Sequence, residues 1–224
     1  MSKLNRILVV IFITVIVLIL FKLCIYGIYS VDRIEKLLNS IELPKNVYIK
    51  TSYYNNEDKI IGVSNLYENG NIIYIFQEND CGDVVEQIYN LDSSIHITID
   101  HSQKSITNTV INEKVELKPE GIDNFAILKK TNKQYRYNGK EYIDGKKCIK
   151  ISFTNQDTNS IGITYFYISI EDKYIIKTEY YEGSSLNSLN KISSQKFEYL
   201  FNTVTDKDIL SFDIEKYKDY QYFD

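Results

Sequence analysis

Residues 47–77 read VYIKTSYYNNEDKIIGVSNLYENGNIIYIFQ. Val, Ile, Tyr and Thr crowd into 47–54 and 59–68, and these residue types fit a pleated, half-buried surface. Asn69-Gly70 then sits between two apolar runs, the short-range signature of a tight hairpin, and 72–77 runs back along its predecessor. The stretch therefore reads as three antiparallel strands, the start of a β-meander.

Toward the C-terminus the same rhythm continues. Strands are expected at 84–91 and 95–100, split by Asp92-Ser93-Ser94, and at 106–110 after a polar turn at 101–104. Residues 115–130 break the pattern. Pro119, Glu120 and Asp123 precede Phe125, Ile127 and Leu128, which suits a short helix or a lid-like loop. Strands resume at 135–142, 146–154, 161–170, 174–182 and 195–201. In the second of these Ile149, Ile151 and Phe153 alternate with Cys148, Lys150 and Ser152, one face buried and one wet. GSSLNSLNK (183–191) reads as a loose polar connector. A sheet of roughly ten strands must curl or close. The expected fold is mainly β (α+β), a strongly curved antiparallel sheet or open half-barrel with short helices on its concave side.

Toward the N-terminus the text changes. Ser30 suits an N-cap for a helix over 31–41, with Val31, Ile34, Leu37, Leu38 and Ile41 on one stripe and Pro44 closing it. Ahead of it, residues 7–29 are almost wholly apolar and long enough to cross a hydrocarbon core of ~30 Å, with Lys22 near one end able to snorkel. Lys3 and Arg6 precede them with no acidic residue, so the N-terminus is expected in the cytoplasm and the rest outside, as a single-pass cell membrane protein. The division is residues 1–30 as stub and anchor and 31–224 as one extracytoplasmic domain. Cleavage after Ser30 lacks an A-x-A site. Lipidation at Cys24 would follow a large residue, Leu23, where a lipobox wants a small one.

The net charge is −4 over 224 residues. Lys3, Arg6 and Lys22 are three of the 26 basic residues, and residues 1–30 hold no Asp or Glu, so the remainder carries 23 basic against 30 acidic residues, a net of −7. That balance argues against nucleic acid as a partner. Lys129, Lys130, Lys133 and Arg136 form the densest basic stretch and read as a solvated face. Cys81 and Cys148 could pair outside the cytoplasm or stay free, and spacing alone does not bring their Cα atoms together.

No catalytic constellation stands out. His96 and His101 lack the partners and spacing of a metal site, and His96, alternating with Ile95, Ile97 and Ile99, is expected on the wet face. No Gly-rich phosphate loop occurs. No cofactor or metal is expected, and the chain does not read as an enzyme. Aromatic residues are dense from Tyr165 to Phe201; a concave sheet walled by them would make an apolar pocket, or an interface rich in Tyr. The pocket candidates are Ile73, Ile75, Ile151, Phe153 and Phe166, and a charge at Ile151 is expected to remove ligand uptake while leaving the domain folded.

The order of elements resembles the LolA-like group of extracytoplasmic lipid and lipoprotein carriers. The likeness lies in a short helix before two long strands and in the phrases YNLDSSIHITIDHSQKSI (89–106), YIDGKKCIKISF (142–153), YFYISIEDKYIIKTEYYEG (165–183) and KFEYLFNTVTDKDILSFDI (196–214). The chain also resembles the GerS-type spore germination lipoproteins of clostridia, Firmicutes proteins that partner a cell-wall amidase and carry a lipidated cysteine near the position of Cys24. These resemblances imply binding or scaffolding. They leave two readings: an adaptor acting with a cell-envelope or spore cortex enzyme, or a carrier or sensor of a lipid or lipoprotein acyl chain held on the concave face.

Overall fold

The computed structural model describes residues 14–18, 36, 44–110, 135–156, 160–209 and 214–223. The chain divides into two units, Met1–Ser40 and Ile41–Asp224. In the first, residues 14–18 are helical, with Val15, Ile16, Val17 and Leu18 all exposed. Lys36 is helical too. The rest of the expected anchor with Cys24, the rest of the 31–41 helix and the whole of 115–130 lie outside the described residues. Among the described residues no helix is long and apolar enough to cross a membrane.

The described residues of the second unit form a sheet of twelve strands. They are β1 (Asn46–Tyr54), β2 (Ile60–Asn69), β3 (Ile72–Asn79), β4 (Val84–Asn90), β5 (Ile95–Asp100), β6 (Ser105–Val110), β7 (Tyr135–Ile143), β8 (Lys146–Gln156), β9 (Ile161–Ser169), β10 (Ile175–Gly183), β11 (Asn190–Phe201) and β12 (Gln221–Phe223). Their order across the sheet is β12-β6-β5-β4-β3-β2-β1-β11-β10-β9-β8-β7. The two ends do not pair with each other, so this is a large, curved, open sheet and not a closed barrel. Among the described residues every ladder is antiparallel except β12 on β6.

Two features depart from the sequence reading. β11 starts at Asn190, because an extra residue opposite the Tyr180/Tyr181 step bulges the strand and lets pairing with β10 continue to Glu182↔Asn190. β12 is a strand of three residues that local pattern did not signal, formed by the C-terminal segment lying along β6.

Alternation assigns side chains to two faces. The face bearing Ile49 carries much of the core, with Val47, Leu66, Ile73, Phe197, Phe166, Ile168, Ile149 and Ile151 all buried, while in β4, β5 and β6 the buried Ile88, Ile99 and Ile106 lie on the opposite face. The opposite face bears Tyr48, whose ring meets Tyr67 at 4.9 Å, and Tyr67 in turn stacks on Tyr74 at 5.8 Å, one tyrosine from each of three adjacent strands. Such cross-strand aromatic pairs add to sheet stability beyond their area. Tyr74 donates from its hydroxyl to the Glu86 carboxylate at 2.8 Å, and Tyr167 to Glu179 at 2.6 Å. Burial pushes Glu179 upward, but hydrogen bonds from Lys177 and Tyr167 outweigh it and hold the carboxyl below its ordinary pKa.

The five expected pocket residues share the Ile49 face, but β3 and β8 stand six steps apart in the strand order. Ile151 has no exposed surface and pairs directly with Phe166, itself 2% exposed. A charge at Ile151 is therefore not a selective probe, because an unpaired buried ion costs far more than a lost contact. Ile151→Asp should leave no cooperative unfolding transition by circular dichroism, and Ile151→Ala should lose about 2–5 kcal/mol in denaturant titration.

Glu68 lies on the same buried face, paired with Val47 and Ile73. Desolvation raises its pKa from 4.5 to about 6, against a weaker opposing pull from Lys45. The folded state thus holds this proton more tightly than the unfolded chain, so the protonated form favours folding and that advantage fades as pH rises from about 4.5 through about 6. Glu68→Gln should flatten the fall in melting temperature across this window and leave the variant more stable than the parent at pH 7. Parallel melting curves for the two proteins from pH 4 to 7 would contradict this placement.

Candidate functional site

The hydrogen-bonded ladder between β10 and β11 stops at Lys177↔Lys196. Beyond it β11 runs on to Phe201 paired only with β1. The cause is local. On the other side of β10, Ile175 pairs with Ile168 and Lys177 with Tyr167, leaving Ile176 as an extra residue. A bulge of this kind bends its strand and raises the local twist. The start of β10 swings from β11, and a wedge opens within the sheet.

The wedge holds a cavity of about 540 Å³, within the range of small-molecule sites, ~300–1,000 Å³. Tyr174 and Ile176 line it from the β10 side, and Phe197, Tyr199, Leu200 and Phe201 from β11. Tyr174 lies across the gap against Tyr199 at 5.3 Å and Phe201 at 4.9 Å between ring centroids. Tyr199 donates its hydroxyl proton to the Ile175 carbonyl at 2.8 Å, a strut where strand pairing has ended. Burial, with Tyr174 beside it, pushes the Tyr199 hydroxyl well above the ordinary tyrosine pKa, so it stays a donor. Ile176 also belongs to a buried cluster with Cys148 and Tyr167, against which Ile143 packs, so the back of the cavity is continuous with packed interior.

The mouth is charged. β7 and β8 are joined by Asp144-Gly145 alone, and both residues have positive φ, 48° and 81°, as a two-residue hairpin with the right-handed strand twist requires. This tip places Asp144 at 3.0 Å from Lys196 of β11, and Lys146 at 2.7 Å from Asp172 in the β9–β10 turn. Lys146 lowers the Asp172 pKa against the opposing effect of burial, with Ser169 assisting, and Asp144 raises that of Lys196. Both pairs face solvent, where such pairs are weak and screened by salt. The rim can rearrange at little cost. The arrangement suits an amphipathic molecule, with apolar matter against the aromatic walls and a polar group at the lysines and aspartates.

None of Ile73, Ile75, Ile151, Phe153 and Phe166 lines this cavity. Of the residues that do, Phe197, Tyr199 and Phe201 fall in the aromatic-rich stretch 165–201 without having been singled out as a pocket, and the bulge that opens the wedge had no local mark. Cys81 and Cys148 are both free thiols, the first exposed in the β3–β4 turn and the second buried on β8, so no disulfide joins them. Burial raises the Cys148 pKa. His96 lies opposite Ile97 and Ile99 in the pleat as expected, yet it is half buried against the Tyr89 ring at 4.1 Å, and that burial lowers its pKa. His101 joins distant elements: Nε2 meets Glu86 at 2.6 Å and Nδ1 meets the Tyr220 hydroxyl at 2.8 Å. Among the described residues no group of three or more His, Cys, Asp or Glu is placed to hold a metal.

Tyr199→Phe should lower stability in urea titration by about 1 kcal/mol, the ordinary net worth of one hydrogen bond, if the strut holds the wedge. An unchanged midpoint would mean that it carries no load.

No family model matches the chain, and no curated protein matches it. Among solved structures the chain is similar to a domain described as an outer membrane lipoprotein-sorting protein from Vibrio parahaemolyticus, at 10% identity and a TM-score of 0.32, covering 80% of this chain and 94% of that one. It is also similar to the Mycobacterium tuberculosis lipoprotein LppX, at 12% identity and a TM-score of 0.35, covering 79% and 96%. Neither is a germination lipoprotein, and the likeness to the GerS type gains no support from them.

Proposed function

We propose that this chain is a membrane-tethered, non-catalytic binding protein for an amphipathic ligand with an acyl-chain-like apolar part, held in the wedge between β10 and β11. The observation that carries the reading is the cavity itself: about 540 Å³ lined by Tyr174, Ile176, Phe197, Tyr199 and Phe201 together with the charged Asp144, Lys146, Asp172, Lys196 and Glu198. Apolar surface entering such a site leaves water at ~25 cal/mol per Å², while the rim keeps a polar head solvated. The tether rests on the apolar run 7–29 and on the exposed apolar side chains of its helical residues 15–18. A carrier or sensor on a membrane meets its ligand at high local concentration.

The full-length protein, in membranes washed with alkaline carbonate, should remain in the pellet. Solubilised in detergent, stripped of lipid and exchanged into nanodiscs, it should bind a fluorescent C16 fatty acid. Leu200 lines the cavity yet is 54% exposed, so Leu200→Glu places a charge in the wall without a folding penalty. This variant should bind at least tenfold more weakly at an unchanged melting temperature. Leu186→Glu, at a position 63% exposed and outside the cavity lining, should bind like the parent. Equal binding by all three proteins would sink the reading.

A further inference from the structure

The outer edge of β6 is only half occupied. β12 pairs with Ser105, Ile106 and Thr107, and no strand lies against Asn108–Val110 among the described residues. Val110 is 62% exposed. The Oδ1 of Asn108 is buried and accepts no hydrogen bond, and no other buried side-chain oxygen or nitrogen among the described residues is left in that state. An orphaned acceptor beside an unpaired stretch of backbone marks a place where a donor is missing. The strand that does lie there is short, and all three of its residues are exposed. The segment leading to it is fixed by the exposed Lys104–Asp219 pair, by the Gln221 amide donating to the Lys104 carbonyl and by Tyr217 and Tyr220 packed against His101.

We propose that the β6 edge is a strand-acceptor site for an extended segment of a partner protein, and that β12 is its resident placeholder. The incoming segment completes the ladder over Ser105–Val110 and brings a hydrogen-bond donor, a side-chain amide or hydroxyl, to Asn108. Main-chain pairing along six residues in place of three supplies the gain over the tail. The site lies at the opposite end of the strand order from β7 and β8 and shares no residue with the ligand cavity.

The test uses the full-length protein and a fluorescein-labelled peptide of residues 214–224 as the probe, read by anisotropy. Loosening the resident tail by Asp219→Lys with Tyr220→Ala should tighten peptide binding at least tenfold over the parent. In the parent, the amides of Gln221–Phe223 should exchange with deuterium at least tenfold faster than those of β5, a measurement that stands even if the double variant fails to fold. Equal affinity for parent and variant, or no binding to either, overturns the proposal. So does tail protection equal to that of β5. A concentration-dependent dimer of the parent that buries this edge would also overturn it, assigning the edge to a second copy of the chain.

Discussion

Eight residue pairs between β1 and β11, from Val47↔Phe201 to Tyr54↔Ser194, join what would otherwise be two separate meanders. Apart from the short β12, every other ladder links strands that are neighbours in sequence or, for β10 and β11, flank a short connector. The first meander, β1 to β6, and the second, β7 to β11, each fold back by local turns, but neither can be fully covered on both edges alone. The β1–β11 ladder makes one sheet of them and sets Val47, Ile49 and Thr51 against Phe201, Tyr199 and Phe197. The candidate site depends on it directly, because β11 stays paired with β1 to Phe201 where its pairing with β10 has ended beside the bulge at Ile176.

How the strands run was legible; how the halves meet was not. Alternation in Ile149, Ile151 and Phe153, and the Asn69-Gly70 turn, are local signals, and the structure places strands and hairpins where they indicate. The partnership of β1 with β11 is set by apolar burial between segments more than a hundred residues apart, which no turn residue announces. The same holds for the placement of His101. Its partners, Glu86 and Tyr220, lie 15 and 119 positions away and become neighbours only when the C-terminal segment reaches β6. For the site, composition pointed to aromatic walls but not to their location. The pocket was expected along Ile73, Ile75, Ile151, Phe153 and Phe166, apolar positions on alternating strands. That apolarity is the signature of packing, and Ile151 and Phe166 have almost no surface left for a ligand.

Buried carboxylates show how this chain tolerates polar groups in a sheet rich in tyrosine. Glu86 and Glu179, each 8% exposed, are both reached by a tyrosine hydroxyl from the adjacent strand. A phenol is a good donor with an apolar body, so it satisfies the carboxylate while covering it. Glu68, on the face of Val47 and Ile73, keeps a raised pKa, its desolvation only partly offset by Lys45. The contrast follows from register: Tyr74 and Tyr167 fall on the face of Glu86 and Glu179, while Glu68 faces Val47 and Ile73.

The β1–β11 ladder also bears on how the chain is made. Tyr54 and Ser194 are 140 positions apart, so at ~5–20 residues per second synthesis takes roughly 7 to 28 seconds to produce both. Throughout that interval the first meander has a bare β1 flank of backbone donors and acceptors, the kind of flank on which foreign strands nucleate. Until β11 is made, that flank has no partner from its own chain among the described strands.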